Sequence, residues 1–144
     1  MPEQTNVKRY KVKDTWKDFE VTLEVNLDRL TAERAELINS FWSSANYRLR
    51  QENGDVVKAV IRLAGQTLIN AMLSQGGSEF CESTKGPLFG DNPGPIWTQD
   101  DLHNEEGWGG AIAGDAYGWC GIRVIAADVC PPSFEDLALA EVAP

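Results

Sequence analysis

Beyond residue 90 the chain has almost no positive charge. Residues 91–144 hold ten acids and a single base, Arg123, while residues 1–90 hold twelve of each, so the formal net charge of −9 lies wholly in the last third. Phosphate neutralisation dominates nucleic-acid binding, and an anionic surface forfeits it. The one basic concentration, Lys8, Arg9, Lys11, Lys13 and Lys17, is expected to pair with a neighbouring strand, so direct nucleic-acid binding is not expected. No run of 18 apolar residues occurs, so no membrane span is expected. The opening MPEQTNVKRYKVK has no apolar stretch of the kind a secretory signal needs. Cys81, Cys120 and Cys130 form no C-x-x-C pair and are expected to be reduced thiols in a cytoplasmic protein, a Cys120–Cys130 bridge being the alternative. The chain lacks the G-x-S-x-G nucleophile elbow, the phosphate-binding G-x-x-x-x-G-K-[ST] loop and the calcium-loop pattern. No internal repeat is visible.

What is present is the patterning of a 144-residue single domain of the α+β class. Phe19, Val21, Leu23, Val25 and Leu27 alternate with polar residues, and Tyr10 and Val12 alternate with Arg9, Lys11 and Lys13. Period-two alternation predicts a β-hairpin over residues 7–27 with one wet face. Lys and Arg on its first strand would face Glu20 and Glu24 on the second. Trp16 sits at the hairpin tip, where it is expected to fold back over the sheet. A helix is expected over residues 31–51, capped by Thr31 and carrying Leu37, Ile38, Phe41, Trp42, Ala45 and Leu49 on one stripe. Asn53-Gly54 ends it. Asp55 caps a second helix over residues 55–75, stopped by Gly76-Gly77. Residues 78–121, rich in Gly, Pro and Trp, are expected to form a long irregular acidic insertion. Ile122 to Val129, apolar on both faces, reads as a central closing strand. In the tail, residues 131–144, Leu137 and Leu139 alternate with Ala138 and Ala140 as a short edge strand would. The architecture expected is a small, mostly antiparallel sheet with an antiparallel two-helix pair packed on one face.

The densest polar cluster is Asp100-Asp101-Leu102-His103-Asn104-Glu105-Glu106. Paired carboxylates beside the single histidine could serve acid–base catalysis, and Asp101, His103 and Glu106 could ligate a metal, but only if they converge in a cleft. A solvated acidic turn is the simpler expectation. Neither catalytic residue, cofactor nor metal is assigned. Trp97, Trp108, Trp119 and Tyr117 lie among acids in the same region. They either anchor the insertion to the domain or form an interface with a polar rim. The candidate partner-binding residues are Trp97, Asp100, Asp101, Glu105, Glu106, Trp108, Asp115, Tyr117 and Trp119.

The runs FEVTLEVNLDRLTAERAELINSFW, NGDVVKAVIRLAGQTLI, EEGWGG, GIRVIAADV and FEDLALAEV together resemble a family of uncharacterised bacterial proteins classed as a domain of unknown function and associated with phage, plasmid and genomic-island contexts. The resemblance extends from Tyr10 to Val142, and the chain departs from it in a longer Gly-rich stretch between Glu106 and Gly121. It carries no catalytic residue onto this chain. It implies a mobile-element protein, and with the one-sided charge it leads to the expectation of a non-enzymatic protein that binds a basic surface of a partner, such as a host nucleic-acid-binding or defence complex, as anti-CRISPR inhibitors do. A structural or oligomeric accessory protein, and a small enzyme or metal protein using Asp101, His103 and Glu106, are the other readings. The oligomeric state is not legible.

Overall fold

The structure, a computed structural model, describes residues 6–84 and 93–143. Strands β1 (Val7–Lys13) and β2 (Glu20–Asn26) form the expected antiparallel hairpin, with Arg9 opposite Glu24 and Lys13 opposite Glu20. Arg9 Nε lies 3.1 Å from Glu24 and Lys11 Nζ 3.6 Å from Glu20, so the wet faces do pair. In the connecting loop the Asp14 carboxylate accepts from the N–H groups of Trp16 and Lys17. Trp16 does not fold back: it is 88% exposed, because this loop turns the indole away from the sheet.

The expected helix over residues 31–51 is two helices, α1 (Ala32–Phe41) and α2 (Ala45–Gln51). The backbone is extended at Trp42 and left-handed at Ser44 (φ 68°). The break persists because the carbonyls it orphans find a substitute donor. The Arg48 guanidinium donates to the backbone oxygens of Asn39, Trp42 and Ser43 and to the Asn39 side chain, which is itself buried. The break also rotates the apolar stripe. Ala35 and Ile38 reach the core, Trp42 is half-buried against it, and Leu37 and Phe41 are exposed.

The caps are where they were expected. Thr31 accepts from the Arg34 N–H and Asp55 from the Lys58 N–H. Helix α3 (Val56–Ser74) ends in a Schellman arrangement, with Gly77 N–H on the Met72 carbonyl and Gly76 N–H on that of Leu73, both glycines at positive φ. By length and composition α3 could cross a membrane, but here it is the core helix, its buried residues including Val60, Ile61, Ala64, Leu68 and Met72. It packs on β1, β2 and β4, and α1 and α2 pack on it.

β3 (Ser78–Phe80) and β4 (Ile122–Val129) complete an antiparallel sheet of order β1-β2-β4-β3, so the fold is α+β and β4 is central as its apolar run predicts. Residues 78–121 are less irregular than expected. Besides β3 they contain α4 (Gly94–Thr98) and a π-helical turn (Gln99–His103). The prolines assist: Pro95 sits in the first turn of α4, where its missing N–H costs nothing. The prolines and glycines at positions 86–90 lie outside the described residues. Among the described residues the tail forms no edge strand. A 3₁₀ turn at Phe134–Asp136 precedes residues without regular structure, and Phe134, Leu137, Leu139 and Val142 are exposed.

One contact sets the distance between the hairpin and α3. A Cβ added at Gly65 would stand 2.5 Å from Val12 Cβ, closer than packed atoms tolerate. Gly65→Ala is therefore expected to cost about 1–3 kcal/mol in urea unfolding. Combined with Val12→Ala it should cost less than the sum of the two single changes. Strict additivity would mean that the contact is not what holds the hairpin at this distance.

Candidate functional site

The region expected to carry function is built onto β4. Because β3 is only three residues long, the start of β4 has no strand on that side among the described residues, and the Thr98 hydroxyl fills in: it accepts from Val124 N–H and donates to the Gly94 carbonyl. The π turn that follows directs His103 inward. Its ring is fully buried and Nε2 lies 2.7 Å from the Ile122 carbonyl. A carbonyl only accepts, so Nε2 carries the proton and Nδ1 holds the lone pair, with no partner among the described residues. Gly118 lies flat on the imidazole, where a Cβ would stand 2.7 Å from the ring. Burial pushes the histidine below its ordinary value of 6.5, against the pull of the Ile122 carbonyl and of Asp115.

The aromatics divide sharply. Trp108 is fully buried and contributes core, not surface. Trp97 and Trp119 are half-buried against the core. Arg34 lies 4.5 Å above the Trp119 ring and donates to the Trp119 carbonyl. Tyr117 donates its hydroxyl to Glu24 at 2.6 Å, with the Arg123 guanidinium 5.4 Å from its ring centroid. Asp115 is held by Arg29 at 2.5 Å and by the Tyr117 N–H. Tyr117 and Asp115 are thus committed to internal contacts.

At the centre of this network is Glu24, a residue the sequence analysis placed only as a hairpin pair. Its side chain is 9% exposed and accepts from Arg9, Arg123 and Tyr117. Burial alone would raise its carboxyl, but Tyr117, Arg123 and Arg9 outweigh it and hold the group below its ordinary value of 4.5.

The acidic cluster does not converge on the histidine. Asp100, Glu105 and Glu106 are exposed, Asp101 is half-exposed and accepts from Gln75, and His103 faces the interior. Burial raises the Asp101 carboxyl, and Asp100 and Glu105 add repulsion. Among the described residues the three-group donor set is a different one, Glu79, Asp128 and Cys130, all exposed, with donor atoms within 4.8 Å of one another. Asp128 and Cys130 are two apart at the end of β4, hence on one side of it, and Glu79 is the register partner of Asp128. The D-x-C spacing was visible in the sequence; the position of Glu79 was not. Hydrogen bonds to Asp128 and Glu79 raise the Cys130 thiol, which disfavours the ligating thiolate.

With this geometry in hand, relatives are informative. A sequence model described as a protein of unknown function (DUF2528) matches residues 20–139. The chain belongs to the DUF2528 family. Protein ea10 of Escherichia phage lambda is 38% identical to it over 71 residues, covering 49% of this chain and 57% of that protein. The lambda prophage-derived protein ea10 of Escherichia coli O6:H1 (strain CFT073) matches to the same extent. The match thus spans little more than half the length of these relatives. No solved structure matches. The family implied by the resemblance is borne out, and both of these relatives are of phage or prophage origin.

Two outcomes follow from the buried groups. Unfolded, His103 protonates near 6.5; folded, it resists. The unfolded state therefore binds more protons as pH falls, and stability should decline below about pH 6.5. His103→Gln, which keeps a donor for Ile122, should flatten that limb in thermal melts. Glu24, ionised in the fold to below 4.5, adds a second loss as pH falls through its folded value; Glu24→Gln should remove it at a cost of about 3 kcal/mol. The thiols differ as strongly. Hydrogen bonds from Ser83 and Thr84 bring exposed Cys81 down to about 7, while burial pushes Cys120 up to about 12. Iodoacetamide at neutral pH should label Cys81 first, then Cys130, and Cys120 only on unfolding, which peptide mass spectrometry would rank.

Proposed function

We propose that this DUF2528 protein is a non-enzymatic, mobile-element interaction protein whose anionic C-terminal third docks on a basic surface of a partner, such as a host nucleic-acid-binding or defence complex, in the manner of an anti-CRISPR inhibitor. One observation carries the reading. Among the described ion pairs, Arg9, Lys11, Lys13, Arg62 and Arg123 are engaged by acids of the first 90 residues, and Asp115 alone of the later acids is engaged, by Arg29. Asp100, Glu105, Glu106, Asp128, Glu135, Asp136 and Glu141 are exposed and have no ion-pair partner among the described residues. A one-signed segment of this kind steers association and makes it salt-sensitive. The lambda relatives support the mobile-element part of the reading.

Among the nine candidate residues, the docking role falls on Asp100, Asp101, Glu105 and Glu106, joined by exposed Ile96 and Ile112. Trp97 and Trp119 support the segment from beneath, and Trp108, Asp115 and Tyr117 hold it to the domain. A second reading, an oligomeric accessory protein, is favoured by exposed Leu37, Phe41 and Tyr47 on α1 and α2.

Tagged wild-type protein and an Asp100→Lys/Glu105→Lys/Glu106→Lys variant, both expressed in the host, should be compared by quantitative mass spectrometry of captured proteins. A partner with a basic surface should be retained by the wild type at low salt and lost at high salt or with the variant. Identical captures from both, indifferent to salt, would end the reading.

A further inference from the structure

We infer that the groove along the outer edge of β1 is a docking site for the C-terminal segment, residues 133–142, of a second copy of this chain. β1 is an edge strand of seven residues, paired on one side only by β2. Its outward N–H and C=O groups therefore have no strand partner among the described residues, and such an edge is a template for an added strand. Beside it, against α2 and α3, lie two adjoining cavities of about 370 and 450 Å³ that share Val12, Lys13 and Arg62. Val12, Leu63 and Ile69 give the groove apolar surface; its charged lining is Lys11, Lys13, Arg48, Lys58 and Arg62 against Asp14 and Glu52, with Arg62 paired to Glu52 at 2.8 Å. Lys58 has no ion-pair partner among the described residues. Lys11 and Lys13 lie along the strand itself, at the outer limit of ion-pair distance from Glu20 (3.6 Å) and Asp18 (3.8 Å).

The occupant is legible in the same sequence. With the exposed 3₁₀ turn at Phe134–Asp136 opened, an extended run of residues 133–142 places Glu135, Leu137, Leu139 and Glu141 on one face. An apolar pair flanked by two carboxylates complements an apolar floor flanked by Lys58 and Arg62. Ten residues span about 33 Å, enough to run the length of β1. Among the described residues of its own chain the segment has no seat: Phe134 is 90% exposed and Leu139 fully so. It also departs from the wrong side. Pro131 lies against Gly77, which leads into β3, the sheet edge opposite β1. A second copy therefore supplies the groove. The contact joins unlike surfaces, so it closes as a reciprocal exchange between two copies or propagates head to tail. The carboxylates from Asp100 to Glu106 take no part, while Glu135 and Glu141 belong to both readings; reversing Asp100, Glu105 and Glu106 leaves the segment intact and so tells the two apart.

The test uses the full chain, a chain ending at Pro132, and a fluorescent peptide of residues 131–143. Sedimentation equilibrium of the full chain should show mass rising with concentration, and the shortened chain should stay monomeric. The peptide should bind the shortened chain in an anisotropy titration, with loss of binding at high salt and with Lys58→Glu/Arg62→Glu. A Glu135→Lys/Glu141→Lys peptide should regain binding to that charge-reversed chain. Both groove positions are exposed, and circular dichroism checks that the variant is folded. Absence of peptide binding, or equal binding to the charge-reversed chain, overturns the proposal. A full chain that stays monomeric while the peptide binds only the shortened form also overturns it, because the segment would then be docking on its own chain.

Discussion

A single buried carboxylate ties this fold together. Glu24 lies on β2, and its two oxygens gather Arg9 from β1, Arg123 from β4 and the Tyr117 hydroxyl from the insertion. Burying a lone charge costs several kcal/mol, and only a full set of donors offsets it. The position of the insertion is thus coupled to the register of three strands. Asp115 with Arg29 and Trp119 with Arg34 extend the coupling toward α1. The same economy shapes the surface. Arg9, Lys11 and Lys13 of the hairpin and Arg62 of α3 lie within ion-pair distance of nearby acids, and Arg123, the one base after residue 90, is drawn inward. The later carboxylates are left without counter-charge as a consequence of how the interior was satisfied.

The glycines of the insertion serve close packing. Gly118 lies on His103, Gly109 on Trp119, and Gly107 on Phe41 and Trp42, each at a distance where a Cβ would overlap a ring. All three have positive φ, which a side chain would strain further. A stretch that resembles a flexible flap is a set of flat contacts between backbone and aromatic rings. Apart from exposed Ile96 and Ile112, the insertion offers little apolar surface to partners, and more of it lies on α1, α2 and the C-terminal segment.

Much of the architecture was legible because its signals are local. Alternation of Val21, Leu23 and Val25 with polar neighbours identifies a strand whatever it packs against. Thr31 and Asp55 cap helices by bonds to N–H groups three residues on, and Gly76-Gly77 closes a helix within one turn. The family was legible as well, through runs spread along most of the chain. The helix break at Ser44 was not, because it depends on Arg48 reaching back to carbonyls that an unbroken helix would have used. The metal-site reading of Asp101, His103 and Glu106 rested on adjacency in sequence, and a π turn that points His103 at Ile122 separates them.

The division follows range. From the sequence alone come the hairpin, the caps, the helix stop, the central strand and the one-sided charge, each read from residues within a few positions of one another. Only the tertiary structure decides which charges are consumed: Glu24 meets Tyr117 and Arg123 from 93 and 99 residues away, and Glu79 meets Asp128 across a strand pair. Hydrogen-bond satisfaction of buried groups is a condition on the packed whole, and no local pattern encodes which distant donor will meet it.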